Sequence, residues 1–266
     1  MEGAKDLSLY SMFFAYLLFL VPLGILYFTK VKLVKESIFS VLRMSIQLGL
    51  VGIYLQYIFE WNIIWLNIAW LFVMIIVSTF SIINSNGVRK RLFFFPIIGA
   101  LVISLFLNIS YFNYFIINIS DIFNAKYLIP ISGMLLGNSL KGNIIATNTF
   151  FDYFKNREQE YFFTLSLGAS RQEALKPIVR ESLKRSLRPT LASIATIGLV
   201  SLPGMMTGQI LGGSIPMTAI KYQIAIMIAI FSTMAISIFL VILFLKNVSF
   251  NKFDVMKKYI FIKGEN

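Results

Sequence analysis

The sequence predicts an all-α integral membrane protein with about seven transmembrane helices and a cytoplasmic amphipathic coupling-helix region between the fifth and the sixth. Three observations carry that expectation. Hydrophobic residues fill 58% of the 266 positions and mean hydropathy is +0.78, far above a soluble domain of this length. Seven apolar runs reach the roughly 20 residues that a helix needs to cross a hydrocarbon core about 30 Å thick. Lys and Arg concentrate in alternate loops between those runs.

The runs lie at about Leu7–Phe28, Ile38–Phe59, Ile63–Ile83, Leu92–Tyr111, Tyr127–Phe150, Pro189–Leu211 and Ala219–Leu245. The first is too long for a signal peptide, its leader sets Glu2 and Asp6 against Lys5, and no small-residue cleavage site follows, so it reads as a retained span. Nineteen of the 24 Lys and Arg fall in the loops after spans 1, 3, 5 and 7. The opposite loops hold only Lys5, Lys126 and Lys221. Basic loops stay in the cytoplasm, so the N-terminus is expected outside and the C-terminus inside the cell membrane. With no long linker and no internal repeat, residues 1–266 read as one membrane domain.

Composition also excludes chemistry. The chain has no Cys and no His, which removes disulfides, thiolate and imidazole metal sites, and Ser-His or Cys-His nucleophilic pairs. No Gly-x-x-x-x-Gly-Lys-Ser/Thr phosphate loop occurs, so no ATP site of that kind is expected. The net charge of +12 follows from topology rather than from a nucleic-acid partner.

The polar stretch from Tyr153 to Arg188 parses as a short helix, a glycine turn at Gly168 and a second helix from about Gln172. Tyr161, Phe162, Leu165 and Leu167 give the first helix an apolar side. On the second, Lys176, Arg180, Lys184 and Arg188 recur every four residues as a basic stripe, while Leu175, Val179, Ser182, Leu183 and Ser186 face elsewhere. Pro177 is expected to start a fresh helix or kink this one, and Pro189 to sit in the first turn of span 6. Without further information this region is either a docking element or an amphipathic linker held by headgroups. The tail from Asn247 to Asn266 mixes Lys with aromatic and aliphatic residues and is expected to lie on the anionic inner leaflet.

Polar residues inside spans mark candidate functional positions, because they are costly against lipid. Arg43 and Gln47 share one face of span 2, with Arg43 about 7–8 Å from the inner end, within snorkelling reach. Asn138, Ser139, Lys141, Asn143, Thr147 and Asn148 crowd the inner half of span 5, so part of that helix should face protein or water. In span 6, Gly204, Gly208 and Gly212 form a four-residue repeat suited to close helix packing, and Pro203 beside Gly204 predicts a kink or an unwound segment. Such breaks are tolerated only where protein or a water-filled cavity covers them.

Several motifs resemble a known family. Glu160 followed by Leu167-Gly168-Ala169-Ser170, Glu173-Ala174-Leu175 and Pro177 resembles the Glu-Ala-Ala loop of ABC-transporter permeases. Arg43-Met-Ser-Ile-Gln47-Leu48 with Gly52, Tyr127-Leu-Ile-Pro130 with Gly133-Met-Leu-Leu-Gly137-Asn138-Ser139, and the string from Gly198 to Gly213 resemble the Fet-type iron-export permeases, related to the membrane subunit of plant aluminium-tolerance transporters. The similarity spans about Ile38 to Leu245, and Lys141 departs from the small or polar residue that family carries there.

The resemblance implies a permease that binds no cofactor itself and is driven by ATP through a separate ATPase, two copies of which serve a permease homodimer. It assigns coupling to Glu158, Glu160, Leu165, Leu167, Gly168, Ala169 and Ser170. Together with the intramembrane polarity and the span-6 glycines, it marks Arg43, Gln47, Asn138, Ser139, Pro203, Gly204, Met205, Met206, Thr207, Gly208, Gln209 and Gly212 as candidates for the pathway or dimer seam. Iron export is implied by resemblance alone. A bare ion would have to be met by oxygen ligands such as Asn138, Ser139, Thr207 and Gln209 or by Met thioethers, which suit hard ferric iron poorly, and the spans carry acidic residues only at their ends, so a complexed metal or a non-metal cargo such as a sugar nucleotide or lipid stays open. A membrane anchor or signalling subunit that translocates nothing is the third class.

Overall fold

The computed structural model describes residues 6–119 and 121–261, so Glu2, Lys5 and Lys263, used in the charge and leader arguments, lie outside it. The described chain is helical throughout, with isolated bridges and no strand. The elements are α1 (Leu9–Leu18), α2 (Leu20–Phe28), α3 (Val34–Trp61), α4 (Ile64–Ser85), α5 (Lys90–Tyr111), α6 (Ala125–Asn156), α7 (Glu158–Ser166), α8 (Arg171–Thr196), α9 (Gly204–Leu211) and α10 (Pro216–Ser249). A π-helical stretch, Phe112–Ile117, prolongs α5.

Five helical stretches among the described residues are long and apolar enough to cross a membrane: Leu9–Phe28, Val34–Trp61, Ile64–Ser85, Lys90–Ile117 and Pro216–Ser249. The first is interrupted only at Phe19, between α1 and α2, where the backbone stays in the right-handed helical region. The expected fifth span is α6, whose 32 residues are long enough but carry too much polarity to stand with those five.

The expected sixth span is not one helix. The apolar end of α8 stops at Thr196, residues Ile197–Pro203 are irregular, and α9 resumes for only 8 residues from Gly204. The break foreseen at Pro203 and Gly204 is present and begins a turn and a half earlier. Pro177 and Pro189 correct the expectation in the other direction, since α8 runs unbroken through both for 26 residues. The helix starts earlier because Ser170 and Glu173 form a reciprocal capping box, with Ser170 N donating to Glu173 Oε2 at 2.8 Å. Its inward face then holds it: Ala174, Leu175, Ile178, Ser182 and Ser186 are buried at helical spacing.

The core lies among α4, α5, α6, α8 and α10, where Phe93, Leu101, Leu135, Phe150, Ile238 and Val241 lose essentially all exposure. The closest approach is at Gly142 of α6. A Cβ there would lie 2.6 Å from Met234 Cε and 3.0 Å from Ile238 Cδ1, so the side chains of α10 press directly on the α6 backbone. The pair α1–α3 stands apart. It meets the remainder through Ile58, Tyr54, Leu55 and Phe59, packed on Ala125, Ile129, Leu66 and Trp70. There Asn62, in a left-handed conformation that ends α3, accepts from Ala125 N at 2.8 Å, while buried Asn67 donates to Phe123 O at 3.0 Å. Most of α3 is apolar and exposed, as a surface facing acyl chains or another subunit would be.

At the opposite end, where Arg89, Lys90 and Arg91 start α5, the C-terminal tail folds back on the bundle. A tight turn runs from Ser249 to Lys257, with Asn251 Oδ1 accepting from Phe253 N at 2.9 Å and Val255 N at 3.0 Å. Phe250, Met256 and Ile260 are buried, and Arg89 N donates to Ile260 O at 2.9 Å. The tail up to Phe261 is therefore a strap packed on the bundle, with Phe253 and Tyr259 left exposed.

Candidate functional site

The α7–turn–α8 element is rigid by construction. Gly168 takes φ +90°, a left-handed conformation that any side chain would strain, and it turns the chain between the two helices. Ser170 then caps α8 and its hydroxyl holds the Glu173 carboxyl below the usual range. Tyr161 anchors the element. It is buried against Phe154 and Phe250, and its hydroxyl donates to Asp254 O at 2.9 Å. Asp254 also pairs with Arg171 at 3.2 Å, so one residue of the strap grips both sides of the turn. Leu165 packs on the core, but Leu167 is 73% exposed and Phe162 is also open, so the apolar side foreseen for this helix divides between core and surface. Glu158 is half-buried and Glu160 is exposed, accepting from Tyr153 Oη at 3.2 Å.

Burial pushes the Tyr161 phenol up to about 12 from 10.0. The folded state thus holds that proton more tightly than the unfolded chain. The corresponding stability is complete below pH 10 and drains as pH rises toward 12. Tyr161→Phe is expected to cost about 1 kcal/mol and to raise amide exchange in the strap, measured by hydrogen–deuterium exchange.

Two polar faces run along α6. One is glue: Asn143 Nδ2 donates to Ser237 Oγ of α10 at 2.9 Å, and Asn86 Nδ2 donates to Thr147 Oγ1 at 2.8 Å, tying the α4–α5 turn to α6. Ser139 is fully buried on this side with no partner for its hydroxyl among the described residues. The other face is open. Asn138, Lys141, Ile145, Asn148 and Asp152 follow at three- and four-residue spacing, and Asn138 only bonds back to Met134 O at 2.9 Å. Its lower part borders a groove of about 600 Å³ between α6 and α8, lined among others by Asn148, Thr149, Asp152, Arg157, Glu181 and Arg185.

The remaining candidates do not converge on one place. Arg43 is exposed on α3, while Gln47 lines a groove of about 480 Å³ with Trp70, Met74, Ser78, Gly133 and Gly137. Pro203 caps α9, whose Met206 is buried and whose Met205 packs on the core. Among the described residues, the Thr207 hydroxyl bonds only to carbonyls of its own turn, and Gln209 Oε1 is buried without a partner. Gly204 and Gly208 have open space where a side chain would stand, so these two glycines pack on nothing among the described residues, and Gly212 closes α9.

An uncharacterised protein family, UPF0014, matches residues 9–250. The chain belongs to this family. The protein ALUMINUM SENSITIVE 3 of Arabidopsis thaliana is 34% identical over 76% of this chain and 72% of its own length. A probable iron export permease protein, FetB of Escherichia coli, is 32% identical over 85% of this chain and 86% of its own. The UPF0014 membrane protein YjkA of Bacillus subtilis is 32% identical over 76% and 78%. No solved structure matches the chain.

The UPF0014 match covers α1 through α10 and ends at Phe250, just before the tip of the strap. Family membership therefore extends over α7, the Gly168 turn, α8 and both faces of α6. Sequence reasoning missed Asn86, Gly142, Ser237, Tyr161 as an anchor, and Asp254. Only the capping box left a local signal, Ser170-x-x-Glu173. The others act through partners 61 to 94 positions away in the chain.

Proposed function

We propose that this chain is the membrane permease subunit of an ATP-driven ABC transporter that exports iron or another metal species, energised by a separate ATPase docking on Glu158–Ser170. The observation that carries this is the α7–turn–α8 element. It presents an exposed Leu167 on a glycine turn fixed by a capping box and by the strap, a preorganised surface rather than a mobile loop. The Escherichia coli relative, named a probable iron export permease, supports the cargo.

On this reading the chain crosses the membrane seven times, with α1–α2, α3, α4, α5, α6, the broken α8–α9 pair and α10 as the crossings. The N-terminus faces outward and the basic end with its strap lies in the cytoplasm. The open faces of α3, α6 and α9 meet a second copy or the pathway between the two copies. Broken helices and exposed polar residues at bilayer depth need such cover.

The test is co-purification of the tagged permease from native membranes. Two permease and two ATPase subunits are expected in one complex. A permease recovered without an ATPase, under conditions that keep it folded, contradicts the proposal.

A further inference from the structure

The α6–α8 groove ends in unpaired positive charge. Lys141 is one turn deeper than Ile145 on the same face of α6, and Arg188 follows Arg185 by three residues on the groove side of α8. Their levels can be compared through Met234. It lies against the Gly142 Cβ position at 2.6 Å and accepts from Thr190 Oγ1 at 3.3 Å, so 142 and 190 sit side by side. Lys141 and Arg188 then lie within about 5 Å of one level at 1.5 Å per residue. By the same measure Lys141 is about 9 Å inside the level of Thr147, to which the α4–α5 turn is bonded.

Both residues are exposed, and neither takes part in an ion pair among the described residues. The groove itself is balanced, with Asp152 and Glu181 against Arg157 and Arg185, and Arg185 already holds Glu181 at 2.6 Å. Lys141 and Arg188 thus leave an excess of two positive charges just beyond its Ile145–Arg185 end. No three His, Cys, Asp or Glu residues come together anywhere among the described residues to hold a metal ion.

We propose that this end of the groove, between Lys141 and Arg188, is a binding site for an anionic oxygen group, a phosphate or a carboxylate. Resting on the transport function proposed above, it makes the cargo an anion, so a metal would travel inside an anionic complex and not as a bare cation. One ammonium and one guanidinium charge with no carboxylate paired to either repel a free cation and attract an anion. Two sources carry the same chemistry: a soluble anion entering from the cytoplasm, and the headgroup of an inner-leaflet lipid.

The chain has no Cys, so Ile145→Cys places one thiol at the groove, a turn from Lys141. In bilayers of zwitterionic lipid, a sulfonate-bearing methanethiosulfonate is expected to label it at least 5-fold faster, relative to free thiol, than a trimethylammonium-bearing one. Lys141→Gln with Arg188→Gln should erase that preference, and Lys141→Arg should keep it. Citrate or inorganic phosphate that slows labelling identifies a soluble anion; slowing by phosphatidylglycerol alone identifies a headgroup. Equal or faster labelling by the cationic reagent in both bilayers overturns the site. Loss of the preference with the ATPase still co-purifying overturns the anion site alone. A persistent preference without any ATPase overturns the transport reading and leaves the site standing.

Discussion

Leu167→Asp is expected to abolish co-purification of the ATPase while the permease stays folded. The side chain is 73% exposed and belongs to no part of the core, so a carboxylate there disturbs nothing within this chain. Its neighbours are fixed: Gly168 holds a left-handed turn, Ser170 caps α8, and Asp254 grips Tyr161 and Arg171. An anchor held in this way loses little freedom on binding, so most of its contact energy appears as affinity. Burying an unpaired carboxylate in the partner's cleft would then cost about 3 kcal/mol or more, over 100-fold in affinity. Thermal unfolding of the variant alone should match the parent, and Leu167→Met should retain the complex. Unchanged co-purification of the Asp variant would remove Leu167 from any docking role.

Gly142→Leu is expected to destabilise the folded chain by about 3 kcal/mol, through overpacking where helices already touch. A Cβ alone would press on Met234 at 2.6 and 2.9 Å and on Ile238 at 3.0 Å, and three further carbons have nowhere to go. Met234 can swing its terminal methyl aside, so Gly142→Ala should be tolerated. Ile238 Cδ1 can give by a few tenths of an ångström, but neither side chain can clear the whole Leu side chain. Forcing α6 from α10 would also stretch the Asn143–Ser237 hydrogen bond one position away. Detergent melts of the three proteins, with Gly142→Ala close to the parent and Gly142→Leu well below it, check the argument. Equal melting of all three would contradict it.

The two sites were legible in the sequence to different depths. Hydropathy located the helices because a run such as Ile64–Ser85 is apolar over its whole length, and the break at Pro203 followed from proline and glycine chemistry. The turn at Gly168 was visible for the same reason. The polarity of α6 was visible only as a cluster. Projected on a helix it divides, with Asn143 and Thr147 inward and Lys141, Asn148 and Asp152 outward, and only the neighbouring helices show which side is covered. The strap was hidden because its Lys and aromatic residues look equally suited to a membrane surface. What decides its place is Asp254 meeting Tyr161 and Arg171, 93 and 83 residues away, and no local pattern records that.

The most direct test of the central claim is ATP-dependent flux. Proteoliposomes carrying the permease with its co-purified ATPase, ATPase sites outward, should accumulate iron supplied as its citrate complex when ATP is added. Accumulation should be absent from proteoliposomes in which the Leu167→Asp permease is mixed with the separately purified ATPase. An assembled complex that hydrolyses ATP and moves no iron in any supplied form would contradict the account.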